Sequence, residues 1–240
     1  WKRLPPGSYG QGVAIVSLHP HGLFAIHDRI EVFVYDAASG DPAWNVTRGA
    51  GAAVIDAEMQ VSNKAVVFRI QTWDNVTSSE VFEAQILSAK TGDVKYTFKG
   101  AHTCAKFNDQ SNYFACSVKA SGNRSGQPQY AVEVVDLRTH QQAWRHLVGG
   151  IIDSGDHFIR MTPSALIVAL VPDYFCDYKG FIVAFDLQNG GAPFWNNSLS
   201  CSFAGVISDS IYEYHGLYLV GIQRFVPGTH GRFDRTQFVA

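Results

Sequence analysis

Apolar and polar positions alternate in short runs along most of the chain, and one such run recurs four times with the same sequel. The copies are VFVYDAASGDPAW (32–44), AQILSAKTGDVKY (84–96), VEVVDLRTHQQAW (132–144) and IVAFDLQNGGAPFW (182–195). Each is a period-two run, then Asp or Ser, then a small-residue turn, then an aromatic. Alternation of this kind marks a strand with one face buried, and the turn residues mark where it reverses. The aromatics Trp44, Tyr96, Trp144 and Trp195 stand 52, 48 and 51 residues apart.

A repeat of this length that carries strands predicts propeller blades, since one small sheet cannot bury its own apolar face and copies of it can bury each other's. The expected fold class is all-β, a β-propeller of four-stranded antiparallel blades with about five blades in the chain. One domain over 1–240 is expected, with blades at approximately 12–48, 51–98, 101–147, 150–197 and 200–240. Blade three would open on Thr103–Phe107 and blade four on Ile151–Phe158. The fifth unit, Phe203–Ser208, Gly216–Gln223 and Thr236–Val239, stops one strand short. Either residues 1–4 complete it and close a five-bladed ring, or the chain is an excerpt of a seven- or eight-bladed one.

In each copy Asp36, Asp136 or Asp186 can accept backbone N–H bonds, while Gly40, Gly92 or Gly190 supplies positive φ. The aromatic that follows is expected to cover the joint between blades. Strand, aspartate, small residue, Gly and Trp, as in VYDAASGDPAW and AFDLQNGGAPFW, resemble the blade repeat of the quinoprotein-like (PQQ-repeat) propeller superfamily more than the Trp-Asp repeat. That resemblance implies a propeller over nearly the whole chain. The adjacent Cys-Cys pair that the superfamily's dehydrogenases hold against the quinone is missing from the sequence, which points to a non-catalytic member with no cofactor.

Composition changes the picture in two ways. A formal charge of −2 and 17% charged residues offer no basic field for nucleic acid or anionic lipid. The longest apolar run, Ala165–Val171, has the length of a buried strand and is too short to span a bilayer, so no membrane insertion is expected. Four of the nine asparagines stand in the N-glycosylation pattern, at Asn45 (NVT), Asn75 (NVT), Asn123 (NRS) and Asn196 (NNS). Four cysteines pair naturally as Cys104–Cys116, across a hairpin centred near Gln110, and Cys176–Cys201. Sequons and an even cysteine count place the chain outside the cell or in the secretory-pathway lumen. The first residue is Trp1, and an N-terminal piece is expected to have been removed or to lie outside this sequence.

Candidate chemistry is sparse. His19-Pro20-His21, with His27, reads as a turn and lacks the carboxylate or cysteine partners of a ligand set, so no metal is expected. Asp153, Asp156 and His157 begin a repeat and would line a central channel, where they could hold a cation or polar ligand. Arg29, Arg69 and Arg160 are expected to pair with carboxylates of the next blade. No GxSxG, HExxH, phosphate loop or dinucleotide fingerprint is present. Sugar on Asn75 and Asn123 would crowd one rim, leaving the opposite rim, with His21, Tyr113, Tyr212 and Tyr214, for protein contact.

The expected function is a secreted or lumenal glycosylated propeller that binds protein partners without chemistry of its own. The alternatives are a propeller enzyme or quinone or calcium binder with its ligand in the channel, and a structural repeat of an extracellular filament or complex.

Overall fold

The computed structural model describes residues 14–18, 23–27, 31–36, 38–47, 53–62, 64–74, 76, 78–120, 129–148, 159–170, 180–199, 203–214, 217–225 and 233–239. Regular structure among them is all strand. The chain divides into two compact units, Trp1–Ala101 and His102–Ala240. Unit 1 holds β1 (Ala14–Leu18), β2 (Leu23–His27), β3 (Glu31–Asp36) and β4 (Pro42–Thr47) as one sheet. Its second sheet contains β5 (Ala53–Val61), β6 (Ala65–Asp74), β7 (Ser79–Ser88) and β8 (Val94–Lys99).

Unit 2 holds three sheets, the first of which begins at the division itself. They are β9 (Ala101–Cys104) to β12, through β10 (Tyr113–Ala120), β11 (Gln129–Asp136) and β12 (Gln141–Val148); β13 (Ile159–Met161), β14 (Ala165–Leu170), β15 (Gly180–Asp186) and β16 (Pro193–Leu199); and β17 (Phe203–Tyr214), β18 (Leu217–Phe225) and β19 (Phe233–Val239). Every strand pairs with its sequence neighbour, so each sheet is an antiparallel meander. The last has three strands among the described residues.

Two turns are responsible for the repetition. Between the third and fourth strands, Asp36 Oδ1 accepts the N–H groups of Ala38 and Ser39, each at 2.9 Å. Asp186 Oδ1 accepts those of Gln188 and Asn189 at 2.8 and 3.0 Å. Asp136 accepts the Arg138 N–H at 2.8 Å and its guanidinium at 2.6 Å, and Ser88 Oγ accepts the Thr91 N–H at 3.3 Å. The chain then passes through a positive-φ residue: Gly40, Gly92, His140, or Gly190 and Gly191 together. A histidine at φ 56° holds the position that glycine fills in the other copies.

The second turn joins the first two strands, and its signal went unread in the sequence. Ser62 and Thr162 each close it alike: their N–H donates to the carbonyl of the alanine three residues on, at 2.9 and 2.8 Å, and their hydroxyls accept that alanine's N–H at 3.1 and 3.0 Å. A Ser/Thr-x-x-Ala phrase therefore sets the register of the second and fourth blades. β14 pairs with Ile159–Met161, through Ile159↔Val168 and Met161↔Leu166, and the stretch 151–158 expected to open this blade lies outside the described residues. In blade three the first strand is Ala101–Cys104, two residues earlier than the expected start at Thr103.

A bulge completes the unit. The residue before each aromatic is extra: pairing steps from Val34↔Trp44 to Tyr35↔Pro42, Ile86↔Tyr96 to Leu87↔Val94, Val134↔Trp144 to Val135↔Gln142, and Ala184↔Trp195 to Phe185↔Pro193. Such an insertion re-aims the neighbouring side chain, here always the aromatic. In unit 1 Trp44 joins Val34, Met59, Val61, Val66, Phe68, Ile70 and Leu87, so the first two sheets share one core. In unit 2 Trp144 packs with Val132 and Val134 of its own sheet and with Met161, Leu166, Phe185 and Leu187 of the next. β11 is buried continuously from Tyr130 to Val135, on both faces.

Candidate functional site

The hairpin of β6 and β7 is the most exposed apolar feature in the described residues. Its register runs to Asp74↔Ser79, whereas β8 pairs with β7 only from Glu83↔Lys99 onward, so the hairpin end projects past β8. Asp74 Oδ1 accepts the Val76 N–H at 2.9 Å and Ser78 adopts φ 48°, which closes the tip tightly. Trp73, Val76 and Val81 are 38%, 92% and 42% exposed there. Trp73 lies opposite Glu80 on one face of the hairpin, and Val81 lies opposite Thr72 on the other. An apolar tip with water on both faces is a shape that enters a partner's recess, and tryptophan is the residue most favoured at such contacts.

Sequence reasoning did not find this site. Trp73-Asp74 followed by a sequon read as a loop carrying sugar, and alternation alone does not tell an exposed strand end from a buried one. Asn75 and Asn123 lie outside the described residues. The other two sequons are placed: Asn45 is exposed in β4, paired with Phe33, and Asn196 is exposed in β16, paired with Val183. Both strands are the last of their sheets and each sequon follows its tryptophan directly. A glycan at either would stand on a sheet edge, where it blocks pairing with another chain.

Of the contact residues expected on the other rim, His21 lies outside the described residues. Tyr113 opens β10 and packs, half-buried, against the unit 2 core. Tyr212 and Tyr214 pair with Leu219 and Leu217 in β17. The structure thus gives strand positions to three of the four.

Cys104 and Cys116 form a disulfide between β9 and β10, with a Cα–Cα distance of 4.0 Å and a sequence separation of 12. Both are buried. The hairpin alone explains it, because Ala105 N–H donates to the Ala115 carbonyl at 2.9 Å and so holds the two strands face to face beside the sulfurs. Cys176 and Cys201 lie outside the described residues, as do Asp153, Asp156 and His157. Arg69 pairs with Glu58 at 3.2 Å, its direct cross-strand neighbour in the same sheet. That corrects the expected inter-blade partner: residues opposite each other on adjacent strands are nearer than any side chain across a blade joint. Arg29 is outside the described residues, and Arg160 sits half-buried in β13. Among the described residues no three His, Cys, Asp or Glu side chains gather as a metal site, and no helix is long and apolar enough to cross a membrane.

The carboxylates with lowered pKa values cap the turns that follow the third strands. Asp36 is held below the ordinary carboxylate range by the Ser39 and Ala38 N–H groups, Asp136 by the Arg138 side chain, and Asp186 by the Gln188 N–H with the Asn189 amide. In each case hydrogen bonds to the charged form are the cause. Capping a turn is all these carboxylates are positioned to do.

No protein-family model matches the sequence, and no curated protein does. Solved structures do match. KlAtg21, in complex with the coiled-coil of AgAtg16, aligns at 12% identity over 88% of this chain and 62% of that one, with a TM-score of 0.51. The β-propeller domain of the Trilobed protease from Pyrococcus furiosus aligns at 10% identity over 81% and 58%, TM-score 0.46. BamB from Moraxella catarrhalis aligns at 12% over 95% and 77%, TM-score 0.39. The chain therefore spans less than two thirds of the first two structures. Of the three only KlAtg21 exceeds a TM-score of 0.5, and at its identity likeness speaks for fold alone. The architecture is all-β, made of repeated four-stranded antiparallel propeller blades.

Proposed function

We propose that this chain is a glycosylated, disulfide-bonded propeller of the secretory pathway that works as a protein-interaction or assembly module, with its blades arranged as one domain and no chemistry of its own. The observation that carries the reading is the β6–β7 tip, which projects past β8 and offers Trp73, Val76 and Val81 to solvent. The buried Cys104–Cys116 bridge suits an oxidising compartment. The exposed sequons at Asn45 and Asn196, each on an outermost strand, suit sugar attachment there. The turn phrases support kinship with the quinoprotein-like propellers as a non-catalytic relative.

Two ends of the blades compete for the contact: the hairpin tip, and the opposite end that carries Tyr113, Tyr212, Tyr214 and His21. The test is a photo-crosslinking residue placed at position 76 or at position 214, in protein secreted from glycosylating cells, with glycopeptide mapping alongside. A defined partner adduct from position 76, lost in Trp73→Ala, supports the tip. An adduct from position 214 only moves the contact to the tyrosine end. No adduct from either, or no sugar on any of the four sequons, overturns the reading.

A further inference from the structure

Asn189-Gly190 is the one Asn-Gly pair in the sequence, and it lies in the turn on which Trp144 rests. We propose that Asn189 is a site of spontaneous amide-to-acid conversion, and that its conversion releases this turn from Trp144. The proposal is independent of the function proposed above.

The chemistry needs a backbone nitrogen free to approach the side-chain carbonyl carbon. In the other three copies the corresponding N–H is tied down: Gly40, Gly92 and His140 donate to the carbonyls of Asp36, Ser88 and Asp136 at 2.8, 2.9 and 2.7 Å. The fourth turn holds one more residue, and there Gly191 makes that bond, to Asp186 at 3.0 Å. Gly190 N–H is left without an acceptor among the described residues. Gly190 has no Cβ to obstruct attack, and both it and Asn189 are exposed to water. One brake opposes the reaction: the Asn189 side-chain amide donates to Asp186 Oδ2 at 2.6 Å and its backbone N–H to Oδ1 at 3.0 Å.

The Gly190 nitrogen gives up its proton and bonds to Asn189 Cγ. The Cγ–Nδ2 bond breaks and ammonia leaves, carrying a proton from water. Water then opens the resulting five-membered imide at either carbonyl, giving isoaspartate or aspartate. The sum is amide plus water to carboxylic acid plus ammonia, with no redox partner. In the product a carboxylate replaces the donor that faced Asp186, so two like charges meet where a hydrogen bond stood. Isoaspartate also adds a methylene to the backbone just before Gly190, whose carbonyl lies 3.3 Å from His146 Nε2. The next residue, Gly191, lies so close to the Trp144 indole that a Cβ there would overlap the ring. A turn pushed away from Asp186 takes that contact with it.

The intact protein is incubated warm at mildly alkaline pH and mapped by peptide mass, with isoaspartyl methyltransferase labelling as the second readout. Position 189 should convert ahead of every other asparagine, and Asp186→Asn, which removes the brake, should speed it severalfold. Asn189→Ser should stay unmodified. Converted protein should melt lower and show red-shifted tryptophan emission. Asn189→Asp should melt below Asn189→Ser at neutral pH, with the gap closing below about pH 3 as the carboxylates become protonated. Asn189 left intact while other asparagines convert would overturn the proposal. So would a converted chain with unchanged melting and emission, or a gap that persists in acid.

Discussion

Trp44 and Trp144 come from the same phrase and sit over the same kind of glycine, yet they are held differently. Trp44 is half-buried, and its indole N–H donates to the Ala89 carbonyl at 2.7 Å. Trp144 is 7% exposed, and its indole nitrogen is buried without a hydrogen-bond partner among the described residues. The turn beneath Trp44 places Gly92 under the ring, where an added Cβ would stand 2.6 Å from Cε3. The turn beneath Trp144 is longer by one residue and brings Gly191 into that place. The carbonyl that would answer the indole belongs to Leu187, by correspondence with Ala89, and Leu187 is itself drawn into the core. In compensation Trp144 gains His146 at 5.3 Å and Phe185 at 5.7 Å, with His146 stacked on Phe185. One joint has a hydrogen bond beside its packing, and the other has packing without one among the described residues.

The largest test of that contrast is truncation. Trp144→Ala should cost about 3–5 kcal/mol in urea unfolding, as expected for a buried tryptophan in a packed core. Trp44→Ala should cost less, since less of its ring leaves water. Equal costs would deny that packing carries the second joint. Next come the glycines. Gly92→Ala and Gly191→Ala meet both a positive φ and an indole ring, whereas Gly40→Ala meets only the φ of 75°, with nothing within 4 Å of the new Cβ. Gly40→Ala should cost roughly 1–2 kcal/mol, and each of the other two clearly more. A similar loss at all three would mean the rings do not rest on the turns.

A finer cut exchanges the indoles for phenyl rings. Trp44→Phe leaves the Ala89 carbonyl without its donor, while Trp144→Phe removes an orphaned one. With similar volume lost, the first should therefore be worse by about 1–2 kcal/mol. The smallest effect is acid. Asp186 and Asp36 have folded carboxyl pKa values below their ordinary ones, so folding favours the ionised form. Their contribution is whole above the unfolded value near 3.9 and is lost as pH falls through the lower folded value. Melting curves of wild type and Asp186→Asn should differ at pH 7 and converge below about pH 3. Because the carboxylate is largely exposed, the gap should be small.

Much of the fold was legible because its signals are local. Alternation marks strands, Asp and Gly mark the outer turns, and the strand bounds fall within a few residues of those expected wherever both strand and turn are described. Cys104 and Cys116 were legible for the same reason: a short polar turn between two apolar runs leaves one way to pair them. The inner hairpins were missed although Ser62 and Thr162 carry a signal, since two instances of Ser/Thr-x-x-Ala look like any polar loop until their hydrogen bonds are seen. The projecting tip was missed because how far the β6–β7 hairpin runs past β8 depends on where β8 ends, and nothing in residues 71–82 reports that.

From the sequence alone came the unit itself: a four-strand meander, its capped outer turn, and the aromatic destined for the joint. These depend on backbone preferences and on contacts between residues a few positions apart. Tertiary structure alone decided which tryptophan finds a hydrogen bond, which arginine pairs within its own sheet, and which apolar residues remain in water. Those outcomes turn on which strands and turns come together in space, from 11 residues apart for Arg69 and Glu58 to 45 for Trp44 and Ala89, and no local pattern reports them.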